Sequence, residues 1–217
     1  MPGAHTRLLR VIRPISDADL APALAIAQEA VGPGWAERED LLGDPARRRV
    51  VVAEDQGVLV GVATAGLRNA IELLHHRDPR VGRALAGAGI PGDSVLLLLD
   101  LAAVIPAARG RGHYRSLLDD RLAWGAREGA GHALAFGWTP PDGCHIAPAM
   151  ERAGFTRHAD LSGFFHRASI ETGALCPACG NPCLCGAAVF TCPIGPRRFV
   201  QLDRRPEAPG NGGMPGS

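Results

Sequence analysis

The sequence predicts an α/β protein, with a mixed central sheet flanked by helices and a small cysteine-rich module after it. Three observations predict it. Strand-like and helix-like segments alternate through the first 170 or so residues. A long apolar run, Val95–Val104, stops at a proline, passes through Arg-Gly-Arg-Gly and enters a helix of apolar period. From Gly173 the composition turns to Cys, Gly and Pro, which places a boundary near residue 170. The expected organisation is a main domain over 1–170, a cysteine module over 171–205 and a disordered tail over 206–217.

The elements follow in order. Residues 7–14 and 49–55 read as strands, and 58–64 pairs with the second across the turn at Asp55-Gln56-Gly57. Between the first two strands, Ser16 is a good N-cap with an acidic residue three positions on, Asp19, so a helix starts there. It runs to about Val31, where Gly32-Pro33-Gly34 ends it. Residues 67–93 form an irregular insertion with one short helix. Residues 95–104 are a buried strand, 112–129 a helix, 133–138 a strand, 146–153 a short helix and 155–167 a last strand or hairpin.

Composition excludes several classes. Hydrophobic residues make up 46% and charged residues 21% of the 217, ordinary globular usage. The net charge of +1 announces no nucleic acid or anionic membrane, and all 23 basic residues are Arg. With no lysine, mechanisms built on a lysine Schiff base or a P-loop lysine are excluded. No apolar run has the length of a signal peptide core or a membrane span, so a cytoplasmic protein without membrane contact is expected. In a reducing compartment, five cysteines in one short segment read as a metal site before they read as disulfides.

The turn after the long strand carries chemistry. Glycines let successive amides face an anion, and a helix N-terminus adds about half a positive charge. The stretch Val104-x-Pro106-x-x-Arg109-Gly110-x-Gly112 resembles the acyl-CoA pyrophosphate loop of the GNAT family of N-acetyltransferases. Residues 7–168 match that family in element order and spacing, and Gly154-Phe155 after Ala147-Pro-Ala-Met-Glu-Arg-Ala153 matches its last helix. The resemblance implies a GNAT-like fold with acetyl-CoA or another acyl-CoA as cosubstrate. Arg109, Gly110, Arg111, Gly112, His113 and Tyr114 would hold the pyrophosphate, and the Val104 backbone the pantetheine arm. The sequence also departs from the pattern. Aligned on the glycines, the family's leading Gln/Arg falls on Ala107; aligned on Arg109, its closing Gly/Ala falls on Tyr114. The tyrosine that often protonates the departing thiolate is replaced by Met150.

Acylating an amine needs a group to take its proton. Asp100 is the first candidate, placed by period-two alternation on the face of Ala102 and Val104; a solvent-facing Asp is the other reading. His145, opening the last short helix, is the second, in place of the missing tyrosine. Glu72, His75 and His76 lie where acceptor specificity would sit, Cys144 reads as a packed thiol, and Trp35 and Trp138 as packing.

Cys176-Pro-Ala-Cys179-Gly180 is a metal knuckle, and Cys183 and Cys185 complete four thiolates, with Cys192 able to replace one. A structural zinc ion is expected, without an open position for catalysis; an iron–sulfur cluster is the lesser alternative. Four arginines between Arg197 and Arg205 read as a solvated strand or as a phosphate contact. The expected function is transfer of an acyl group to a primary amine of a small molecule or peptide. The alternatives are a GNAT-like aminoacyltransferase with aminoacyl-tRNA as donor, tRNA then being the partner, and a non-catalytic module of the same fold. The sequence leaves the oligomeric state open, a dimer included.

Overall fold

The computed structural model describes residues 10–195, and in it the β-rich runs form seven strands of one sheet. They are β1 (Arg10–Pro14), β2 (Arg48–Asp55), β3 (Val58–Asn69), β4 (Val95–Val104), β5 (His132–Thr139), β6 (Thr156–Leu161) and β7 (Gly186–Pro193), in the spatial order β1-β2-β3-β4-β5-β7-β6. Only β4 and β5 are parallel; every other pair is antiparallel. Residues 7–9 of the first expected strand, the arginine segment 197–205 and the expected tail lie outside the described residues.

Helices cover both faces. The first is α1 (Leu20–Val31), entered through a 3-10 turn at Asp17–Asp19. The predicted cap is present: the Ser16 amide and hydroxyl both donate to Asp19, at 2.8 and 2.6 Å. Arg13 donates to the same carboxylate and holds its pKa well below the usual range. The insertion starts later than expected, since β3 continues to Asn69, and it carries two short helices where one was expected, α2 (Ala70–Leu74) and α3 (Pro79–Gly87). Then come α4 (His113–Arg127), α5 (Ala147–Arg152) and α6 (His166–Thr172). The predicted last strand or hairpin ends at Leu161, and its remainder turns into α6.

The core lies on the two sides of the sheet. Leu117, Leu118 and Leu122 of α4 pack on one face, against Ala63, Ala65, Leu97 and Leu99. Ala23 and Ala27 of α1 and Val81 and Leu85 of α3 cover the other. The segment expected inside the cysteine module supplies β7, inserted between β5 and β6, so the cysteines lie in the connection between two neighbouring strands of the main sheet. That connection is docked on the end of α1. Leu175 donates its amide to Pro33 O at 2.9 Å, and a Cβ on Gly32 would stand 1.9 Å from Leu175 O, so only glycine fits the predicted helix stop. No helix among the described residues is long and apolar enough to cross a membrane.

Candidate active site

The parallel pair is only half zipped. Leu96–Leu99 pair with His132–Ala135, and beyond them β4 bonds only to β3 while β5 bonds only to β7. The wedge so opened is a cavity of about 570 Å³ lined by Leu101–Val104 on one side and by Ala135, Phe136 and Trp138 on the other, with Arg109, Tyr114, His145 and Ile146 around it.

The wedge leads to the glycine-bearing turn. Gly110 and Gly112 take φ of +75° and +84°, and Gly112 caps α4. Ser116 is the first residue of α4 to donate its amide, to Gly112 O at 3.1 Å; ahead of it the amides of 110–115 make no hydrogen bond to another described residue. They form a row of free donors at the start of a 15-residue helix, as an anion site requires. A Cβ on Gly112 would meet the Arg10 guanidinium at 3.0 Å, so β1 sets a cation against the turn, which sequence reasoning missed. Side chains around the turn brace it. Arg109 folds back to donate Nε to Val104 O at 3.1 Å, Arg111 lies 3.7 Å from Asp55, and the fully buried His113 ring stands 3.4 Å from the same carboxylate. Tyr114 is half-buried and points its hydroxyl at Met150 Sδ, 3.3 Å away. Burial raises its pKa, so the phenol keeps its proton.

A second cavity, of about 280 Å³, adjoins the first, and Val31, Leu99, Asp100, Leu101, Phe136 and Trp138 line both. Asp100 owes its place to a β-bulge. Thr64 pairs with Leu101 and Ala65 with Leu99, which leaves Asp100 without a partner on β3. The bulge corrects the alternation expected from sequence. Leu97 and Leu99 face α4, and so do Ala102 and Val104, whereas Asp100 is turned to the other face, 3.9 Å from Arg48, which also lies 3.8 Å from Asp40. Its side chain is 25% exposed. Burial raises its pKa against the opposing pull of Arg48, Arg68 and Arg121. Arg121 locks the bulge from the α4 side: Nη1 donates to Thr64 O and Leu101 O, both at 3.1 Å, and Nε to Leu117 O. The residue is 1% exposed, at a position that helical spacing from Leu117 and Leu118 marks as inward.

His145 sits apart from this junction. Its side chain is 61% exposed and lies 3.2 Å from Asp142, on the rim of the larger cavity. Glu72, His75 and His76 line neither cavity; His76 stacks on Phe164 and Glu72 accepts from Asn69. Cys144 is packed at the edge of the core, as expected.

No family model matches the sequence, and no curated protein matches it. Solved structures do. NAA60 of Arabidopsis thaliana, in complex with a bisubstrate analogue, superposes with a TM-score of 0.62 at 18% identity over 86% of this chain and 98% of its own. The ribosomal-protein-S18-alanine N-acetyltransferase of Escherichia coli gives 0.58 at 13% identity, over 86% and 95%. A GCN5-related N-acetyltransferase of Kribbella flavida gives 0.56 at 22%, over 85% and 98%. The fold is that of the GNAT N-acetyltransferases.

On this GNAT fold the β6–β7 connection carries the cysteines. The sulfurs of Cys176, Cys179, Cys183 and Cys185 all lie within 4.8 Å of one another, with separations of 3.7 Å (176–185), 3.8 Å (179–183) and 3.6 Å (179–185). Thiolates bound tetrahedrally at about 2.3 Å stand about 3.8 Å apart, so the four fit one metal ion. Cys192 lies elsewhere, buried in the sheet core on β7. Cys176 and Gly180 exchange backbone bonds of 3.1 and 2.8 Å, and the Leu184 amide donates to Cys179 Sγ at 3.2 Å, bringing that thiol down to about 7. Ser169 of α6 supports the knuckle through Cys183 N, at 2.8 Å, and Asn181. Trp35, Trp138 and Phe165 pack on the thiols. Both tryptophans, read from sequence as packing, therefore line the smaller cavity as well as the knuckle.

Proposed function

We propose that the chain is an N-acyltransferase that moves an acyl group from acyl-CoA to a primary amine of a small molecule or peptide. The observation that carries this reading is the continuity of a free-amide turn, an unzipped strand edge and a second chamber meeting at Asp100. The pyrophosphate would rest on the amides of Gly110 to Tyr114 with Arg10 beside them, and the pantetheine arm along Leu101–Val104. The thioester then lies at the junction near Leu99–Leu101, where the amine arrives from the smaller chamber. Asp100 takes the ammonium proton; its raised pKa makes it a better base than an exposed carboxylate. The nitrogen attacks the thioester carbonyl, collapse of the adduct breaks the carbon–sulfur bond, and the second amine proton replaces the one that the thiolate takes up on leaving. Tyr114, protonated and lining the same cleft, is better placed to protonate the thiolate than the rim residue His145.

The four thiolates fit a structural zinc ion, which would tie α6 to the start of β7; with every position filled by sulfur it supplies no Lewis acid. Calorimetry with acetyl-CoA and CoA tests the acyltransferase reading, with micromolar binding expected and no binding of either overturning it. Elemental analysis tests the metal, one zinc per chain being expected.

A further inference from the structure

We infer that the smaller chamber is an acceptor site for an amine carried on a flat aromatic body, an arylalkylamine by chemical class, and that the cysteine knuckle is its end wall. The inference rests on the acyltransferase reading and names the substrate of that site.

The chamber is lined by two kinds of group, aromatic and charged. Trp35, Phe136, Trp138, Phe164 and Phe165 line one part, half of the chain's ten aromatic residues. Four of the rings form a connected cage: Trp35 meets Phe165 edge-on at 5.6 Å, Phe165 meets Phe164 edge-on at 5.1 Å, and Phe164 stacks on Phe136 at 5.1 Å. Aromatic pairs at such distances leave faces and edges for a further ring. The charged groups, Asp40, Arg48 and Asp100, gather where Arg48 bridges the two carboxylates. The carboxylates of Asp40 and Asp100 offer acceptor oxygens to an ammonium at this end, and Arg48 holds the two together. The chamber opens into the larger cleft past Leu99, Asp100 and Leu101 on one side and Phe136 and Trp138 on the other, so carboxylate and rings meet at the opening. An arylalkylamine satisfies both parts at once, its ring in the cage and its nitrogen at Asp100. A polyamine would leave the cage unfilled and bring a second charge against aromatic walls. A volume of about 280 Å³ suits one small molecule.

The metal site belongs to this wall. Cys176 and Cys183 line the chamber themselves, and Phe164 and Phe165 precede α6 in the same β6–β7 connection. Filling the four thiolates fixes the segment that carries two of the five aromatic residues.

The test uses the full, metal-loaded protein with acetyl-CoA and three amines: tryptamine, spermidine and a short peptide with a free, small-residue N-terminus. Tryptamine should have a kcat/KM at least about tenfold above the others, the value of one well-buried ring. Phe165→Ala should raise the tryptamine KM about tenfold with the acetyl-CoA KM within twofold, and Phe165→Leu should recover part of the loss. If Phe165→Ala does not fold, quenching of wild-type tryptophan emission by phenethylamine, saturable and unmatched by spermidine, is the substitute measurement. Acetyl-CoA binding with turnover of spermidine or peptide ahead of tryptamine overturns the inference and leaves the acyltransferase standing. Saturable phenethylamine binding without any acyl-CoA binding supports the chamber assignment and overturns the acyltransferase reading.

Discussion

The two chambers that meet at Asp100 are built on different principles. The larger one is a main-chain site: free amides of the turn at Gly110–Gly112, the unpaired edge of β4 and the start of α4. The smaller one is a side-chain site, assembled from α1's end, β2, β5 and the β6–β7 connection. A main-chain site asks only for a backbone path, so it can persist in a chain only 13–22% identical to the structures it superposes on. A side-chain site is remade by each substitution, and there this chain has placed its aromatics and its cysteines.

The comparison can be broken first at the junction. Asp100→Asn should lower kcat by about 10²–10⁴ while the Kd for acyl-CoA stays within a few-fold. The folded state raises the Asp100 pKa, so its contribution to stability is full below the unfolded pKa and is lost as pH rises through the folded one. Removing the charge should therefore leave Tm at pH 7–8 unchanged or higher, and the acid limb of the wild-type kcat profile should lie above the usual carboxylate range. A fall in Tm with full activity would show Asp100 to be structural only.

Next in size is Arg121→Met. It leaves the carbonyls of Thr64, Leu101 and Leu117 without their buried donor, at a cost of about 1–3 kcal/mol in urea unfolding. Activity should fall for both substrates together, since the bulge belongs to both chambers. Gly112→Ala acts on the main-chain site alone. Its φ of +84° costs an alanine about 1–2 kcal/mol, and its Cβ displaces Arg10. Calorimetry should find acyl-CoA binding weakened about tenfold, with selectivity among amines unchanged. The smallest effect belongs to His145→Ala. An exposed side chain on the rim should change kcat by no more than about twofold, and a loss of a hundredfold would restore it as the proton donor.

The same contrast governs how much could be read from sequence. Strand order up to β5, the helix cap at Ser16 and the turn at 109–112 were legible, because each is encoded by neighbouring residues. So was the sulfur set, apart from the choice among Cys183, Cys185 and Cys192. The phase of β4 was not legible. Nothing in Leu-Leu-Leu-Leu-Asp-Leu-Ala-Ala-Val marks the bulge, which arises from pairing with β3 and turns Asp100 away from Ala102 and Val104. Nor could local pattern reveal that Trp35, Arg48 and Phe165, far beyond the reach of any local motif from one another, line one chamber. The cysteine segment read as an appendage because composition reports where packing chemistry changes. It is silent on whether the next strand rejoins the sheet.

That return has a consequence for how the molecule is assembled. β7 comes last along the described chain, yet it stands inside the sheet, so β5 and β6 each present an open edge until residues 186–193 arrive. A nascent chain therefore depends on β7 to join these two strands in one sheet, and the cysteines emerge just ahead of that strand. A metal ion captured there would shorten the span the strand must search before it docks.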